Sequence, residues 1–144
     1  MTFEVKQVTE VTEPLLAAFA RLLPQLSPRL ATVTRQRLQS VLSAPSTVLF
    51  VAQDADQLVG ALTLTWYVTP SGCKAWIEDV VVDAAARGCG VGEKLVHAAL
   101  AHASKIGAER VCLTSNATRT AARALYRKMG FEEAATTVFV YKIK

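Results

Sequence analysis

The chain has 144 residues, of which 51% are hydrophobic and 19% are charged, and its formal net charge is +4. This composition is typical of an ordered globular protein and excludes an intrinsically disordered one. The length predicts a single domain over residues 1–144, which would bury roughly 70% of the surface that the unfolded chain exposes.

The distribution of charges and cysteines indicates which partners and which cellular compartment to expect. The basic residues are dispersed, without a Lys/Arg run or interleaved aromatic residues, so we expect no nucleic acid partner. A modest positive charge suits an anionic cofactor instead. Cys73, Cys89 and Cys112 are scattered and odd in number, which favours neither a disulfide framework nor a metal cluster and indicates the reducing cytoplasm. We expect no signal peptide at Met1 and no membrane span, because no apolar run is long enough.

The first third of the chain predicts a strand and two helices. Phe3–Val8 alternates apolar and polar residues, as a strand does. Pro14, favoured at the first helical position, indicates a helix that ends at Pro24. A second helix is expected over Pro28–Leu42. Its predicted inward residues are Leu30, Val33, Leu38, Val41 and Leu42. Its arginines favour a solvated face over a substrate site: Arg29, Arg35 and Arg37.

A hairpin is predicted next. Thr47–Ala52 and Leu58–Val68 read as strands on either side of a polar turn, with Gly60 at a bulge or a close contact. Trp66 and Tyr67 are expected to pack in the core or at its rim. Residues 70–72 then form a turn.

The central stretch predicts a strand that enters a helix through a glycine-containing turn. Ile77–Val82 is β-branched and apolar enough for burial on both faces. The turn over 84–91 contains Arg87, Gly88 and Gly90, and helical apolar spacing begins near Gly92. Such a helix terminus presents free N–H groups at the positive end of its dipole, and glycines let phosphate oxygens approach. The sequence therefore predicts an anion site here.

The last third predicts a strand, a helix and a final strand. Arg110–Thr114 reads as a short strand and Thr118–Met129 as a helix capped by Gly130. The segment Phe131–Lys144 ends in a predicted strand that contains Val138, Val140 and Ile143. The order β-α-α-β-β-β-α-β-α-β predicts an α/β protein, with a mixed (α+β) sheet and helices on both faces.

The predicted anion loop differs from two familiar phosphate loops. Its glycines form Gly-x-Gly-x-Gly, whereas the dinucleotide fingerprint needs Gly-x-Gly-x-x-Gly. Glu93 and Lys94 after Gly92 do not match the P-loop. The stretch Arg87-Gly88-Cys89-Gly90-Val91-Gly92 instead resembles the Arg/Gln-x-x-Gly-x-Gly/Ala pyrophosphate loop of the GNAT superfamily of acetyl-CoA-dependent N-acetyltransferases.

A second stretch strengthens this resemblance. Residues 122–131 read Ala-x-x-Leu-Tyr-x-Lys-x-Gly-Phe, which is similar to the other main motif of that superfamily. The element order is also that of the family. The resemblance therefore implies the GNAT acyl-CoA N-acyltransferase fold, with a central splayed sheet. One departure is Arg119, which stands where many members have an asparagine, while Asn116 lies three residues earlier.

The resemblance implies that acetyl-CoA is the cosubstrate and assigns residues to bind it. Backbone N–H groups at the splayed strand end would bind the pantetheine arm and polarise the thioester carbonyl, at Val80, Val81 and Val82. The pyrophosphate would lie on the loop residues Arg87, Gly88, Cys89, Gly90, Val91 and Gly92. Asn116 and Arg119 are further candidate contacts, with a solvent-exposed Arg119 as the alternative. No metal site is predicted.

Three residues are candidates for the chemistry. Tyr126 resembles the family tyrosine that protonates the departing CoA thiolate, the alternative being a tyrosine packed on the sheet. Glu78 and Asp79 lie in an apolar strand, where a carboxylate is costly unless it is paired or functional. Adjacent strand residues face opposite sides, so one of the two is expected in the acceptor cleft, with Glu78 favoured. His97 and His102 are expected to be structural.

The acidic pair also resembles that of polyamine and amino-sugar acetyltransferases, where it binds the acceptor or helps to deprotonate it. These features predict a transferase that moves an acetyl group directly from acetyl-CoA to a primary amine of a small, cationic molecule. Two alternatives remain: an acetyltransferase acting on protein N-termini or lysines, and a catalytically silent acyl-CoA-binding regulatory domain. A homodimer is an open option.

Overall fold

A computed structural model describes residues 2–30 and 32–143. The chain divides into two compact units, Met1–Thr114 and Ser115–Lys144. The elements of the first unit are β1 (Glu4–Gln7), α1 (Glu13–Leu26), α2 (Arg35–Ser43), β2 (Thr47–Asp54), β3 (Gln57–Thr69), β4 (Gly72–Val82), a 3-10 turn (Ala84–Ala86), α3 (Val91–Lys105) and β5 (Arg110–Cys112). The second unit contains α4 (Thr120–Lys128).

The strands of the first unit form one sheet in the order β1-β2-β3-β4-β5. β1 to β4 are antiparallel neighbours, whereas β5 runs parallel to β4. A parallel neighbour requires a crossover connection, and α3 provides it. The predicted α/β fold with a mixed sheet is therefore confirmed.

Helices cover both faces of the sheet. On one face, residues of α1 and α2 pack with Leu49, Val51, Ala61 and Val81 of the strands in a single buried cluster. On the other face, α3 lies close to β3 at Gly60. A Cβ on Gly60 would come within 2.9 Å of Val91 Cγ1 and 3.1 Å of Leu95 Cδ1. Glycine at this position therefore permits the close approach of helix and sheet, which the sequence predicted as one of two options.

Helix boundaries in the first unit differ from those predicted at two places, and α4 is slightly shorter than the predicted helix over Thr118–Met129. α1 continues through Pro24 to Leu26, since the N–H of Ser27 still bonds to the carbonyl of Leu23 at 3.1 Å and the helical pattern resumes beyond the proline. α2 begins only at Arg35, where the Thr34 hydroxyl accepts the N–H of Arg37 at 3.0 Å and caps the helix. Leu30, which we expected to face inward, is 42% exposed. No helix in the described part of the chain has the length and apolarity that a bilayer crossing demands.

The predicted final strand is wrong. Residues 131–143 form no strand, and Lys144 lies outside the described residues. The apolar residues that suggested the strand are exposed, namely Val138, Phe139, Val140, Tyr141 and Ile143. An apolar β-type pattern gives a strand only where a neighbouring strand accepts its backbone hydrogen bonds, and the sequence pattern does not say whether one is present.

Candidate active site

A β-bulge interrupts β4 near its carboxyl end. Thr63 of β3 pairs with Glu78, but Ala61 pairs with Val81, so β4 carries one extra residue in this interval. Asp79 has a φ of 50°, in the left-handed region that few non-glycine residues adopt. Because the bulge breaks the alternation of the strand, both Glu78 and Asp79 are exposed.

Beyond the bulge, β4 has a strand partner on one side only. β5 pairs with β4 through Lys74, Ala75 and Trp76, and the ladder ends there. β4 itself continues to Val82. Within the described residues, the edge of 77–82 that faces away from β3 therefore lacks a strand partner. Val80 to Val82, predicted to bind the pantetheine arm, lie on this edge. Backbone N–H groups that point away from β3 are donors that an extended ligand can use.

The turn after β4 leads into a helix terminus without a side-chain cap. Gly88 and Gly90 have φ values of 81° and 84°. Nothing lies within 4 Å of a Cβ added at either position, so a larger side chain would not clash. Glycine is favoured here because other residues rarely adopt a positive φ. α3 begins at Val91, and its N-cap Gly90 makes no side-chain hydrogen bond. The N-terminus of α3 therefore has no side-chain cap from residue 90, and a helix terminus of this kind can bind an anion.

Two exposed side chains of this turn are Arg87 and Cys89. Arg87 Nε donates to the carbonyl oxygen of Val82 at 3.4 Å, which keeps a positive charge beside the turn. Cys89 Sγ lies 3.8 Å from the carbonyl oxygen of Arg87. Because the Cys89 side chain contacts the turn itself, the group of this residue that could bind a ligand is its backbone N–H.

Asp83 anchors the start of the turn and was not singled out from the sequence. It is 8% exposed. Its carboxylate accepts the N–H of Ala85 at 3.2 Å and Arg21 Nε at 3.2 Å. Gln25 Oε1 accepts the N–H of Ala84 at 2.8 Å, so two side chains of α1 hold the turn. An aspartate between a strand and a small-residue turn is an N-cap signal that could have identified it.

The carboxylates of β4 and of this turn differ in their pKa. Hydrogen bonding by the Ala85 N–H, helped by Arg21 and Gln25, lowers the pKa of Asp83 although burial opposes this effect. Partial burial raises the pKa of Glu78, and the negative charge of the adjacent Asp79 raises it further. A raised pKa makes the Glu78 carboxylate a better proton acceptor.

The remaining candidates, Asn116, Arg119 and Tyr126, lie in the second unit. Asn116 Oδ1 accepts the N–H of Thr118 at 3.0 Å and its hydroxyl at 2.9 Å, which forms a turn before α4. Arg119 is the exposed N-cap of α4. Tyr126 is 8% exposed, and its ring meets that of Phe131 edge-on with 5.8 Å between centroids. Burial raises the pKa of Tyr126 while Arg119 opposes the shift, so its phenol keeps its proton at neutral pH.

The two histidines contact neighbouring side chains. The His102 ring lies 5.9 Å from that of Phe50 and 5.4 Å from that of Trp66, between centroids. His97 Nε2 lies 3.9 Å from Glu93 Oε1 on the same helix. Across residues 2–30 and 32–143, no three His, Cys, Asp or Glu side chains are grouped as metal ligands would be.

Comparison with known proteins places these features in context. The family model described as acetyltransferase (GNAT) family matches residues 14–131. No curated protein matches the chain significantly.

Several solved structures share the fold. One is an aminoglycoside acetyltransferase, meta-AAC0020, from an uncultured soil metagenomic sample, with a TM-score of 0.86 and 23% identity over 99% of this chain and 97% of that one. Another is glucosamine-6-phosphate N-acetyltransferase from Arabidopsis thaliana, with a TM-score of 0.82 and 22% identity over 98% of this chain and 99% of that one. A third, AAC(6')-Iy in complex with the bisubstrate analogue CoA-S-monomethyl-acetylneamine, has a TM-score of 0.80 and 20% identity over 100% of both chains.

Asp83→Asn tests whether this carboxylate holds the turn. Since the pKa of Asp83 is lowered in the folded protein, its ionised form stabilises the fold above the ordinary carboxyl pKa of about 3.9. That contribution is lost as the pH falls through the lowered pKa. We expect the variant to lose about 1–3 kcal/mol of unfolding free energy near pH 7 and to approach the wild type as the pH falls through that lowered pKa. Urea unfolding near pH 7 and at the lowest pH at which both proteins remain folded measures this.

The matched control is Asp56→Asn, at an exposed aspartate in the turn between β2 and β3. It should change stability by less than about 0.5 kcal/mol. An Asp83→Asn deficit that is the same at both pH values would show that the carboxylate charge is not what stabilises the turn.

Proposed function

The chain belongs to the GNAT family of acetyltransferases, and we propose that it transfers the acetyl group of acetyl-CoA to a primary amine of a small, cationic molecule. The observation that carries this proposal is that three features occur together at the carboxyl end of β4. A bulge with two exposed carboxylates, an unpaired strand edge and an uncapped helix terminus follow one another within residues 78–92.

The residues present fit an acyl-CoA. The pyrophosphate would bind the N–H groups of 87–92, where two glycines at positive φ and the charge of Arg87 support an anion. The pantetheine arm would pair with the unpaired edge at Val80 to Val82, as an added strand does. A CoA-containing analogue bound to AAC(6')-Iy, which shares the fold, is consistent with this assignment. Arg119 and Asn116 are proposed as further contacts from the second unit.

The reaction needs a proton acceptor, an oxyanion partner and a proton donor. A neutral amine attacks the thioester carbonyl carbon, so that a C–N bond forms and the C–S bond breaks. Glu78 accepts the proton that the amine loses, directly or through a water. Backbone N–H groups of Val80 to Val82 stabilise the negative charge that develops on the carbonyl oxygen. Tyr126 donates its phenolic proton to the departing sulfur.

The acidic pair supports a cationic acceptor. Glu78 and Asp79 are adjacent and exposed at the bulge, so they present negative charge to an approaching ammonium group. Aminoglycoside and glucosamine-6-phosphate acetyltransferases share the fold, and their substrates carry amino groups on sugars. A panel of polyamines, amino sugars and lysine peptides, assayed for thiol release from acetyl-CoA, tests the acceptor class. Turnover of peptides alone would overturn the small-molecule proposal.

Acetyl-CoA should stabilise the folded protein through the anion loop. At about a hundredfold excess over Kd, binding adds about 2.7 kcal/mol, which raises the Tm by roughly 5–10 °C for a chain of this size. Gly90→Val should abolish this rise, because valine disfavours the positive φ of 84°. Differential scanning fluorimetry with acetyl-CoA, NAD and ATP measures it.

Gly107→Val is the matched control. Gly107 has a φ of 81° and the same open surroundings, but it follows α3 at its other end. Both variants should lose similar stability, and only Gly90→Val should lose the acetyl-CoA shift. If neither or both lose it, the loop is not the binding site.

Tyr126→Phe removes the proposed proton donor and keeps the ring that contacts Phe131. We expect kcat to fall by about 10²–10⁴-fold with little change in acetyl-CoA affinity. Steady-state kinetics and the thermal shift separate the two effects. Tyr141→Phe, at a tyrosine that is 85% exposed, should leave kcat unchanged. A decrease below about threefold for Tyr126→Phe would reduce this residue to a packing role.

Glu78→Gln should remove the acidic limb of the pH–rate profile. The pKa of Glu78 is raised, so the protein loses activity as Glu78 gains its proton on the acidic side. The glutamine variant should have a lower kcat/KM for the amine without that limb and unchanged acetyl-CoA binding. Asp79→Asn provides the comparison. It removes a charge that raises the pKa of Glu78, so the limb should move to lower pH. If only Asp79→Asn abolishes the limb, Asp79 is the base.

A further inference from the structure

Two aromatic side chains lie on the same face of the sheet as Glu78. Trp76 precedes Glu78 by two residues, in a part of β4 whose pairing with β3 is regular, so the two side chains point to one face. Tyr67 of β3 pairs with Lys74, two residues before Trp76, and shares that face. At the usual rise of a strand, the Cα atoms of Glu78 and Trp76 are about 7 Å apart. A molecule whose amino group lies at Glu78 can therefore reach Trp76 with its other end.

The two helices on this face leave the aromatic pair accessible. α1 and α2 cover the face at Ala61 and Val81, and the buried cluster that they form among the described residues does not include Trp76 or Tyr67. Trp76 is half-buried, and Tyr67 is 45% exposed. Large aromatic side chains that stay accessible beside a candidate site are available to pack against a ligand.

A hydrogen bond fixes the indole of Trp76. Its Nε1–H donates to the hydroxyl oxygen of Tyr67 at 3.2 Å, so the polar edge of the ring is already paired within the protein. What the indole presents to a ligand is therefore its apolar surface. Because the bond restricts the rotamers of both rings before a ligand arrives, less conformational entropy is lost on binding.

Polar groups beside the indole are also paired. Thr65 lies opposite Trp76 across the ladder. Its hydroxyl donates to the carbonyl oxygen of Ser46 at 3.0 Å and accepts the hydroxyl of Thr47 at 3.3 Å. A ring that carries several hydroxyl groups would give up hydrogen bonds to water here without gaining partners from these groups. This arrangement favours an aromatic ring over a sugar ring at Trp76.

The charges on this face distinguish an uncharged ring from a second ammonium group. An indole face can bind a cation. Lys74, however, lies opposite Tyr67 and two residues from Trp76 on the same face, and its positive charge opposes a second positive charge there. Negative charge lies at the bulge, on Glu78 and Asp79. The arrangement therefore suits a molecule with one amino group and an uncharged aromatic ring.

We propose that Trp76 and Tyr67 bind the ring of an arylalkylamine, the amino group of which lies at Glu78. This inference rests on the proposed acetyl transfer to a small amine and narrows its acceptor. A short alkyl chain between nitrogen and ring matches the spacing of Glu78 and Trp76 along the strand. A phenyl ring that leaves water to pack on an aromatic surface should raise kcat/KM by about 10- to 100-fold over the same amine without the ring.

A matched pair of amines and a matched pair of variants test the subsite. The wild type should prefer phenethylamine to ethylamine by that factor in kcat/KM. Trp76→Leu should lower the preference by about fivefold or more and change kcat/KM for ethylamine by less than about threefold. Trp66→Leu makes the same substitution on the opposite face, where the ring lies 5.4 Å from that of His102, and should keep the preference. Circular dichroism checks that both variants are folded.

Two further amines represent the acceptor classes that the geometry disfavours. Glucosamine tests the sugar ring, and cadaverine tests the second ammonium group. Both should have a lower kcat/KM than phenethylamine. A higher value for either amine, or a phenyl preference that survives Trp76→Leu, would overturn the proposal.

Fluorescence separates this inference from the proposed reaction. The sequence contains two tryptophans, so Trp66→Phe leaves Trp76 as the only one. In the presence of CoA, phenethylamine should change the emission of Trp76 with a saturating dependence on concentration, whereas ethylamine should not. If no amine is acetylated but the emission responds, the reaction is wrong and the subsite stands. If ethylamine is acetylated and phenethylamine leaves the emission unchanged, the reaction stands and the subsite is overturned.

Discussion

The hydrogen-bonding requirement of the β4 backbone governs the candidate site. A strand inside a sheet normally satisfies both of its edges, and β4 does so only as far as Trp76. From Ile77 onward, β3 bonds to one edge while β5 has already ended. The bulge at Asp79 also increases the local twist of β4 and changes the face of the sheet to which the following side chains point. An unpaired edge in the middle of a sheet is costly unless something pairs with it, so a ligand that carries amide groups would suit it.

The loop that follows depends on contacts from a distant part of the chain. Arg21 bonds to Asp83 and to the carbonyl oxygen of Leu58, while Gln25 bonds to the N–H of Ala84. α1 thus fixes both the end of β4 and the beginning of β3. Glycine turns are conformationally permissive, so a turn that must present its N–H groups in one arrangement needs such external anchors. The first helix of the chain, far from the motif at residues 87–92, therefore contributes to the shape of the predicted anion loop.

Local patterns predicted much of the fold and the glycine-containing turn that enters α3, and long-range contacts account for the rest. The spacing from Ile77 to Leu100 gave the strand, turn and helix because each is encoded by neighbouring residues. The ends of α1 and α2 were misplaced, since a proline in a last turn and a cap at Thr34 act through single hydrogen bonds. Asp83 was overlooked: its bond to the Ala85 N–H is a local cap signal, but its second contact, with Arg21, lies 62 positions earlier and leaves no local pattern. The predicted final strand is wrong because Val138 and Val140 have strand character, whereas a strand also needs a neighbour for its backbone hydrogen bonds, which a local pattern does not report.

Negative and positive side chains lie at opposite ends of the candidate site. Glu78 and Asp79 lie at the bulge, and Arg87 lies in the turn that opens α3. Between them, Val80 to Val82 supply an apolar, unpaired edge that spans roughly 10 Å at the usual rise of a strand. A ligand with an anionic end at the loop and an acyl end at the bulge would bring its reactive group to the carboxylates, where a cationic amine is attracted. Negative charge at the bulge and positive charge at the turn are thus separated along one stretch of a chain whose formal net charge is +4.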